Sequence, residues 1–353
     1  MENSILIYGA YGYTGKLITK EAVARGHKPL LAGRNPEKLV KVAQKYDLPY
    51  EAFSLGDRSA LDKALAGKKV VINAAGPYSK TAELMVEACI RNNVHYLDVT
   101  GEIEVFEYIA TMGMAAKAAN IILLPGTGFD VVPSDCLAAF LKTQLPDAKY
   151  LELAFLGIGQ PSRGTTLTML ENIHKGGNVR ENHKIIKVPF GHKSREVLFG
   201  ERTGLGVSIP WGDVSTAYYS TSIPNITVYM GVSESFASML RMTRYFDWFL
   251  GFPPVQNMMA SYIKTSMTGP SEEEREKGKS FLWGEVRNEK GEKVQAKLKT
   301  PDGYSLTSAT AVRCMEKVLE NTLEPGFYTP SKAFGADFIL EFEGASRSLI
   351  SEE

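Results

Sequence analysis

Short, continuously apolar runs alternate with amphipathic stretches along the first third of the chain. Ser4-Ile5-Leu6-Ile7-Tyr8, Pro29-Leu30-Leu31-Ala32, Val70-Val71-Ile72 and Ile121-Ile122-Leu123-Leu124 show no polar alternation. Runs of this kind are buried on both faces, as parallel strands are when helices cover the sheet. With weaker runs between them they place strands at 4–8, 28–32, 50–54, 69–73, 95–99 and 121–124. Helical spacing places helices at 13–25, 36–46, 59–66, 80–92 and 102–119. Ser59-Ala60-Leu61-Asp62 reads as a capping box for the third helix.

Strand–helix alternation predicts right-handed crossovers and a doubly wound (Rossmann) parallel α/β sheet of order 3-2-1-4-5-6. After Pro125-Gly126-Thr127-Gly128-Phe129-Asp130 the pattern changes. Pro133 suits the first turn of a helix running to about Leu145. Strands are then expected at 149–158, 184–190, 195–199, 215–222, 225–232, 280–288 and 292–299. A helix at 163–175 and a helical stretch at 235–265 lie between them, and Asn288-Glu289-Lys290-Gly291 reads as a hairpin turn. This describes a second α+β domain on a mostly antiparallel sheet. A last helix, Ser305 to about Glu320, is expected to pack back on the first domain. The domains read as 1–125, 126–302 and a return segment 303–353.

The first strand runs straight into Gly9-Ala10-Tyr11-Gly12-Tyr13-Thr14-Gly15, where a helix starts. A glycine-rich turn between strand and helix lets backbone approach a pyrophosphate, and the helix N-terminus offers N–H groups to it. The GxxGxxG spacing is a variant of the commoner GxGxxG. About 20 residues beyond such a loop, an NAD site carries a carboxylate for the ribose hydroxyls. This chain has Gly33-Arg34-Asn35 there. Arg34 is a planar cation suited to a 2′-phosphate, so NADP(H) is expected over NAD(H).

The chain has 353 residues, and 40 Lys and Arg balance 40 Asp and Glu, which gives no electrostatic case for nucleic-acid binding. Three scattered cysteines, Cys89, Cys136 and Cys314, without a CxxC pair fit a reducing compartment. No basic leader and no spanning apolar run are present, so a cytoplasmic protein is expected. The five histidines show no zinc-ligand spacing, so no metal is expected. Tyr328 and Lys332 have the spacing of a reductase Tyr-Lys pair, but Pro330 separates them.

Several stretches resemble the saccharopine dehydrogenase-like oxidoreductases, a family whose branches include bacterial trans-acting enoyl reductases. They are Gly9–Gly15, Leu31–Asn35, Asn73–Tyr78, His95–Glu102 and Pro125–Asp135. Further matches are Pro210–Ala217, Ser222–Ile226, Gly269–Glu274, Thr300–Tyr304 and Phe334–Asp337. The resemblance implies an NAD(P)-binding first domain, hydride transfer, and a second domain carrying substrate and dimer contacts. It does not imply saccharopine as substrate.

In open α/β sheets the ligand lies beyond the carboxyl ends of the strands. Around the cofactor this selects Gly9, Tyr11, Gly12, Tyr13, Thr14, Gly15, Arg34 and Asn35, and the loop Ala74-Ala75-Gly76-Pro77. Tyr78 either packs on the nicotinamide, donates a proton or anchors the turn. Asp130 either caps the next helix or acts as a substrate-orienting or acid–base group. Glu102 is expected to cap the helix that follows it. Arg163, Thr165 and Trp211 are candidate substrate contacts. Phe246, Trp248, Phe249, Leu250, Phe252 and Val255 around Pro253-Pro254 form buried packing, a dimer face, a lid or a membrane-surface contact.

These readings converge on an NADP(H)-dependent oxidoreductase. It acts on an enoyl, imine or carbonyl group of a small or lipid-like substrate in an interdomain pocket, as a homodimer. The alternatives are a non-catalytic NADP-binding structural or sensor protein, and a membrane-surface adaptor acting through residues 240–265.

Overall fold

The computed structural model describes residues 4–157, 166, 170, 176–233, 252–266 and 269–351. The chain forms two compact units, Met1–Val132 with Tyr304–Phe334, and Pro133–Gly303 with Gly335–Glu353.

The first unit is built on β1 (Ile5–Tyr8), β2 (Leu30–Gly33), β3 (Tyr50–Ala52), β4 (Val70–Asn73), β5 (His95–Asp98) and β6 (Ile122–Leu124). Their order is β6-β5-β4-β1-β2-β3, all parallel, and the short β15 (Gly326–Phe327) extends the sheet beyond β6. This is the expected doubly wound order. β1 and β4 are buried along their whole length, which is why neither shows alternation in sequence.

Helices α1 (Tyr13–Ala24), α2 (Pro36–Tyr46), α3 (Arg58–Leu65) and α4 (Ala82–Asn92) form the first four crossovers. Asn35 caps α2, its Oδ1 accepting from the Lys38 N–H at 2.8 Å. The proposed capping box at Ser59 is incorrect: Asp57 caps α3 and accepts from the Ala60 N–H at 3.0 Å, which leaves Ser59 inside the helix. The expected helix 102–119 is two, α5 (Ile103–Thr111) and α6 (Gly113–Ala118). They part at Met112, where ψ is 0° and the Thr111 hydroxyl bonds back to the Tyr108 carbonyl.

In the second unit a mixed sheet has the order β10-β11-β12-β7-β13-β14-β16. Its strands are β7 (Tyr150–Gly157), β10 (Ser194–Phe199), β11 (Arg202–Ser208), β12 (Asn225–Val232), β13 (Lys279–Arg287), β14 (Lys293–Pro301) and β16 (Ser346–Ile350). The hairpin β8 (Gly177–Glu181) and β9 (Lys184–Val188) joins at β12. Pairing is antiparallel except between β7 and β12. The hairpin turn at Asn288 is present, with the Asn288 carboxamide oxygen accepting from the N–H groups of Lys290 and Glu292.

The expected strand 215–222 is instead helix α8 (Asp213–Thr221). Its Val, Thr and Tyr residues favour strands in isolation, but here the Ser and Thr hydroxyls find acceptors within the helix. Ser220 bonds the Thr216 carbonyl at 3.1 Å and Thr221 the Ala217 carbonyl at 2.5 Å. Burial of Val214 and Ala217 then outweighs local preference. The expected helix 163–175 lies almost wholly outside the described residues. Of the aromatic stretch, residues 240–251 lie outside them too. Helix α9 (Pro253–Ser266) follows, with Phe252, Met258 and Tyr262 exposed. Short helices α10 (Glu272–Lys277) and α12 (Pro330–Phe334) flank α11 (Gly303–Leu319), which belongs to the first unit. Among the described residues no helix is long and apolar enough to cross a membrane.

Two carboxylates face each other in the second sheet, since Glu152 of β7 is directly opposite Glu285 of β13. Like charges in that register repel. Arg195 resolves the conflict from β10, pairing with Glu152 and reaching Glu285 at 3.5 Å. Its guanidinium lies 4.4 Å from the Trp283 ring centroid. Tyr229 donates to Glu152 at 2.9 Å, and Gln295 donates to Glu285 at 2.5 Å. β10 thus lies close to β13 although the two are not neighbours in the strand order. Arg195→Met should destabilise the protein by about 1–3 kcal/mol in denaturant unfolding, because it leaves two partly buried carboxylates facing each other. Adding Glu152→Gln should recover much of that loss. No loss for Arg195→Met would contradict this role.

Candidate functional site

At the carboxyl end of β1 the chain turns through Gly9, whose φ is +82°. A Cβ there would lie 2.8 Å from the Ala74 carbonyl carbon, so the turn sits directly against the loop after β4. A Cβ on Gly15 would lie 2.3 Å from the Gly9 oxygen, so the first turn of α1 sits directly on the β1 end. Gly12 is less crowded, with the Gly9 oxygen at 3.2 Å from its added Cβ. Gly12 is the N-cap of α1 and supplies no side-chain acceptor, and the first turn of α1 contains no acidic residue. The helix start is thus arranged for an external anion, as a dinucleotide pyrophosphate requires.

Arg34 follows β2 directly and is exposed. It makes no ion pair with a carboxylate among the described residues. The Tyr11 ring covers Gly33, where an added Cβ would meet the ring at 2.6 Å. Tyr13 packs edge-on to Tyr304, the second residue of α11, with ring centroids 5.0 Å apart.

Asn73 closes β4 and shapes the next loop. Its Oδ1 accepts from the Ala75 N–H at 3.2 Å, its Nδ2 donates to the Thr81 hydroxyl, and that hydroxyl donates to the Ala75 carbonyl at 2.7 Å. Gly76–Pro77 is a cis peptide. Tyr78 opens a single 3-10 turn and packs against the core of this unit. Burial, with Asp98, Asp130 and Glu102 nearby, holds its hydroxyl well above the ordinary tyrosine range. Glu102 does not cap α5 with its side chain. Its two oxygens accept instead from the N–H groups of Tyr78 and Ser79, at 2.7 and 2.9 Å.

Asp98, at the end of β5, is fully buried and ties three segments together. Its carboxylate accepts from the Tyr96 hydroxyl at 2.7 Å, the Thr100 N–H at 3.0 Å and the Gly126 N–H at 2.8 Å. Its carbonyl accepts from both the N–H and the hydroxyl of Thr127. Helix α11 completes the frame: Thr310 donates to the Thr127 carbonyl at 2.7 Å, and the Phe129 N–H donates to Thr307 at 2.9 Å. Asp130 lies two residues before α7 (Val132–Gln144), with its carboxylate against Gly101. Burial pushes both Asp98 and Asp130 up to about 6.

The first unit therefore brings together the glycine loop, Arg34, Asn35, Ala74–Pro77, Tyr78 and Asp130. Trp211 belongs to the second unit, where it packs on Phe155 with ring centroids 4.5 Å apart. Arg163 and Thr165 lie outside the described residues. Asn73, Thr81, Asp98, Thr307 and Thr310 carry structural roles that periodicity did not single out. No cluster of metal ligands occurs among the described residues.

A parallel sheet with this loop, this helix start and a cation after β2 defines a dinucleotide-binding Rossmann unit. Residues 5–124 match the family model described as the saccharopine dehydrogenase NADP binding domain. A probable mitochondrial saccharopine dehydrogenase-like oxidoreductase of Arabidopsis thaliana is 25% identical over 99% of this chain and 96% of its own. A trans-acting enoyl reductase of Mycobacterium leprae is 36% identical over 38% of this chain and 34% of its own. The fold is shared with an apo saccharopine dehydrogenase (L-Glu forming) from Saccharomyces cerevisiae. That structure has a TM-score of 0.67 at 13% identity and covers 99% of this chain and 100% of the other. Residues 5–124 thus carry the NADP-binding domain of that family, and nearly the whole chain is similar to a saccharopine dehydrogenase-like oxidoreductase.

Gly15→Ala should abolish nicotinamide-cofactor binding in a fluorescence titration, because its methyl must displace the Gly9 carbonyl, whereas Gly12→Ala should weaken binding less. Equal behaviour of the two would contradict the packing described. Asp98 ionises less readily folded than unfolded, so the folded state holds more protons between its ordinary range and about pH 6. Its contribution to stability is present at low pH and lost as pH rises through about 6. The stability of wild type relative to Asp98→Asn should therefore fall over that window and level off above it. A flat difference would show that Asp98 titrates normally.

Proposed function

We propose that this chain is an NADP(H)-dependent oxidoreductase that transfers hydride to or from an enoyl, imine or carbonyl substrate. The observation that carries the cofactor choice is Arg34: an exposed guanidinium at the end of β2, without a carboxylate partner among the described residues, where an NAD site carries an acid. A carboxylate there accepts from two ribose hydroxyls, whereas a guanidinium offers a planar fork to a phosphate.

The residues fit the cofactor. The start of α1, behind Gly9, Gly12 and Gly15, would hold the pyrophosphate. Ala74, Ala75, Gly76 and Pro77 present small side chains or bare backbone on the neighbouring strand end, held by Asn73 and Thr81. Bound nicotinamide supplies the hydride. Asp130 and Tyr78 are the groups of this unit assigned to hold or deliver the accompanying proton. Asp130 serves because its carboxyl is protonated closer to neutrality than a free one, and Tyr78 because its hydroxyl stays protonated. The similarity to a trans-acting enoyl reductase supports an enoyl group as the first substrate to try.

Hydrogen bonds to a charged group contribute roughly 1.5–3 kcal/mol. Arg34→Ala should therefore weaken NADPH binding by about tenfold to a hundredfold and leave NADH nearly unchanged. Equal losses for both cofactors would show that Arg34 does not read the 2′-phosphate. Oxidation of NADPH in a screen of enoyl, imino and keto compounds tests the reaction itself. Tight NADPH binding without turnover of any class would favour a non-catalytic role.

A further inference from the structure

Arg34 is not alone at its corner of the first unit. Lys38 is the third residue of α2, fixed there by the bond from its N–H to Asn35 Oδ1. Its side chain is exposed, and its ammonium lies 6.0 Å from the centroid of the Tyr11 ring. The same ring lies on Gly33, which precedes Arg34. The missing side chain at Gly33 gives the ring its seat, and the ring in turn gives the Lys38 ammonium a face to rest on. Among the described residues neither Arg34 nor Lys38 pairs with a carboxylate, and Glu37 between them pairs with neither.

Arg34 and Lys38 thus border one corner of the unit as cations without a carboxylate partner among the described residues. The pair makes sense beside a dianion. We propose that Lys38 is the second cation of the 2′-phosphate site and that Tyr11 is its positioning residue. Arg34 contributes the flat, bidentate fork, and Lys38 contributes a compact point charge on a flexible stem. Tyr11 reduces the range of positions that stem samples, without itself contacting the phosphate. This assignment rests on the NADP(H) reading above and extends it to two further residues.

The test is a titration of the full chain and its variants with NADPH, NADH, 2′,5′-ADP and 3′,5′-ADP. Lys38→Met keeps the length of the side chain and removes the charge. It should weaken NADPH and 2′,5′-ADP by about fivefold to tenfold, as a partly solvated ion pair allows, and leave NADH unchanged. Lys38→Arg should restore most of the loss. Tyr11→Leu should reduce the preference for NADPH over NADH, and that reduction should vanish when Lys38 is already Met.

The proposal is overturned if Lys38→Met weakens both cofactors equally or neither, while Arg34→Ala still selects against NADPH. It is also overturned if 3′,5′-ADP, which carries the phosphate position of coenzyme A, binds better than 2′,5′-ADP. If wild type shows no preference for NADPH and Arg34→Ala changes nothing, the NADP(H) reading falls and this proposal with it.

Discussion

Backbone contact at Gly9 and Gly15 sets the geometry of the dinucleotide-binding unit. Gly9 leaves β1 with φ +82° and lies within methyl distance of the Ala74 carbonyl, while Gly15 lies on the Gly9 oxygen. Both contacts need the absence of a side chain, and any Cβ would push α1 or the β4 loop outward. The benefit is a helix start held close to two strand ends with its N–H groups unmasked by a side-chain cap. A pyrophosphate can be held there by backbone alone. Everything assigned to the cofactor is then a matter of what borders that cradle: Arg34 and Lys38 on the β2 side, and Ala74–Pro77 on the β4 side.

On the other flank a single buried carboxylate does the organising. Asp98 takes N–H groups from both the loop after β5 and the loop after β6, and α11 fixes the second of these loops through Thr307 and Thr310. Three polar hydrogen bonds compensate for the burial of the Asp98 carboxylate, yet the desolvation is large enough to leave its ionisation shifted upward. Glu102 links the same loop to the turn at Tyr78. Asp130 and Tyr78 therefore sit on loops that are braced rather than free.

Much of the first unit was legible in the sequence because its strands are covered on both faces. Continuous runs such as Val70–Ile72 have few other readings, and the crossover rule then orders them. The glycine turn and the position of Arg34 were legible because both are local to a strand end. What failed was non-local. Residues 215–222 read as a strand, yet intrahelical hydroxyl bonds and burial make them a helix. Strands β8, β11 and β16 went unseen because Gly177, Gly204, Gly206 and the charge of Arg347 obscure alternation. Glu102 was read against the helix it precedes, whereas its partners are 24 and 23 residues earlier. The Tyr11–Gly33 contact links a loop to a strand end in the same way, and nothing in either segment alone announces it.

The most direct measurement is the affinity of the wild-type chain for NADPH and NADH, read from nicotinamide fluorescence in one buffer. Saturable binding of both through the shared glycine loop, with NADPH clearly tighter, is the expected result. Equal affinities, or a preference for NADH, would contradict the assignment of Arg34 to a 2′-phosphate. Absence of binding to either would leave the loop between β1 and α1 as a tight turn without a ligand.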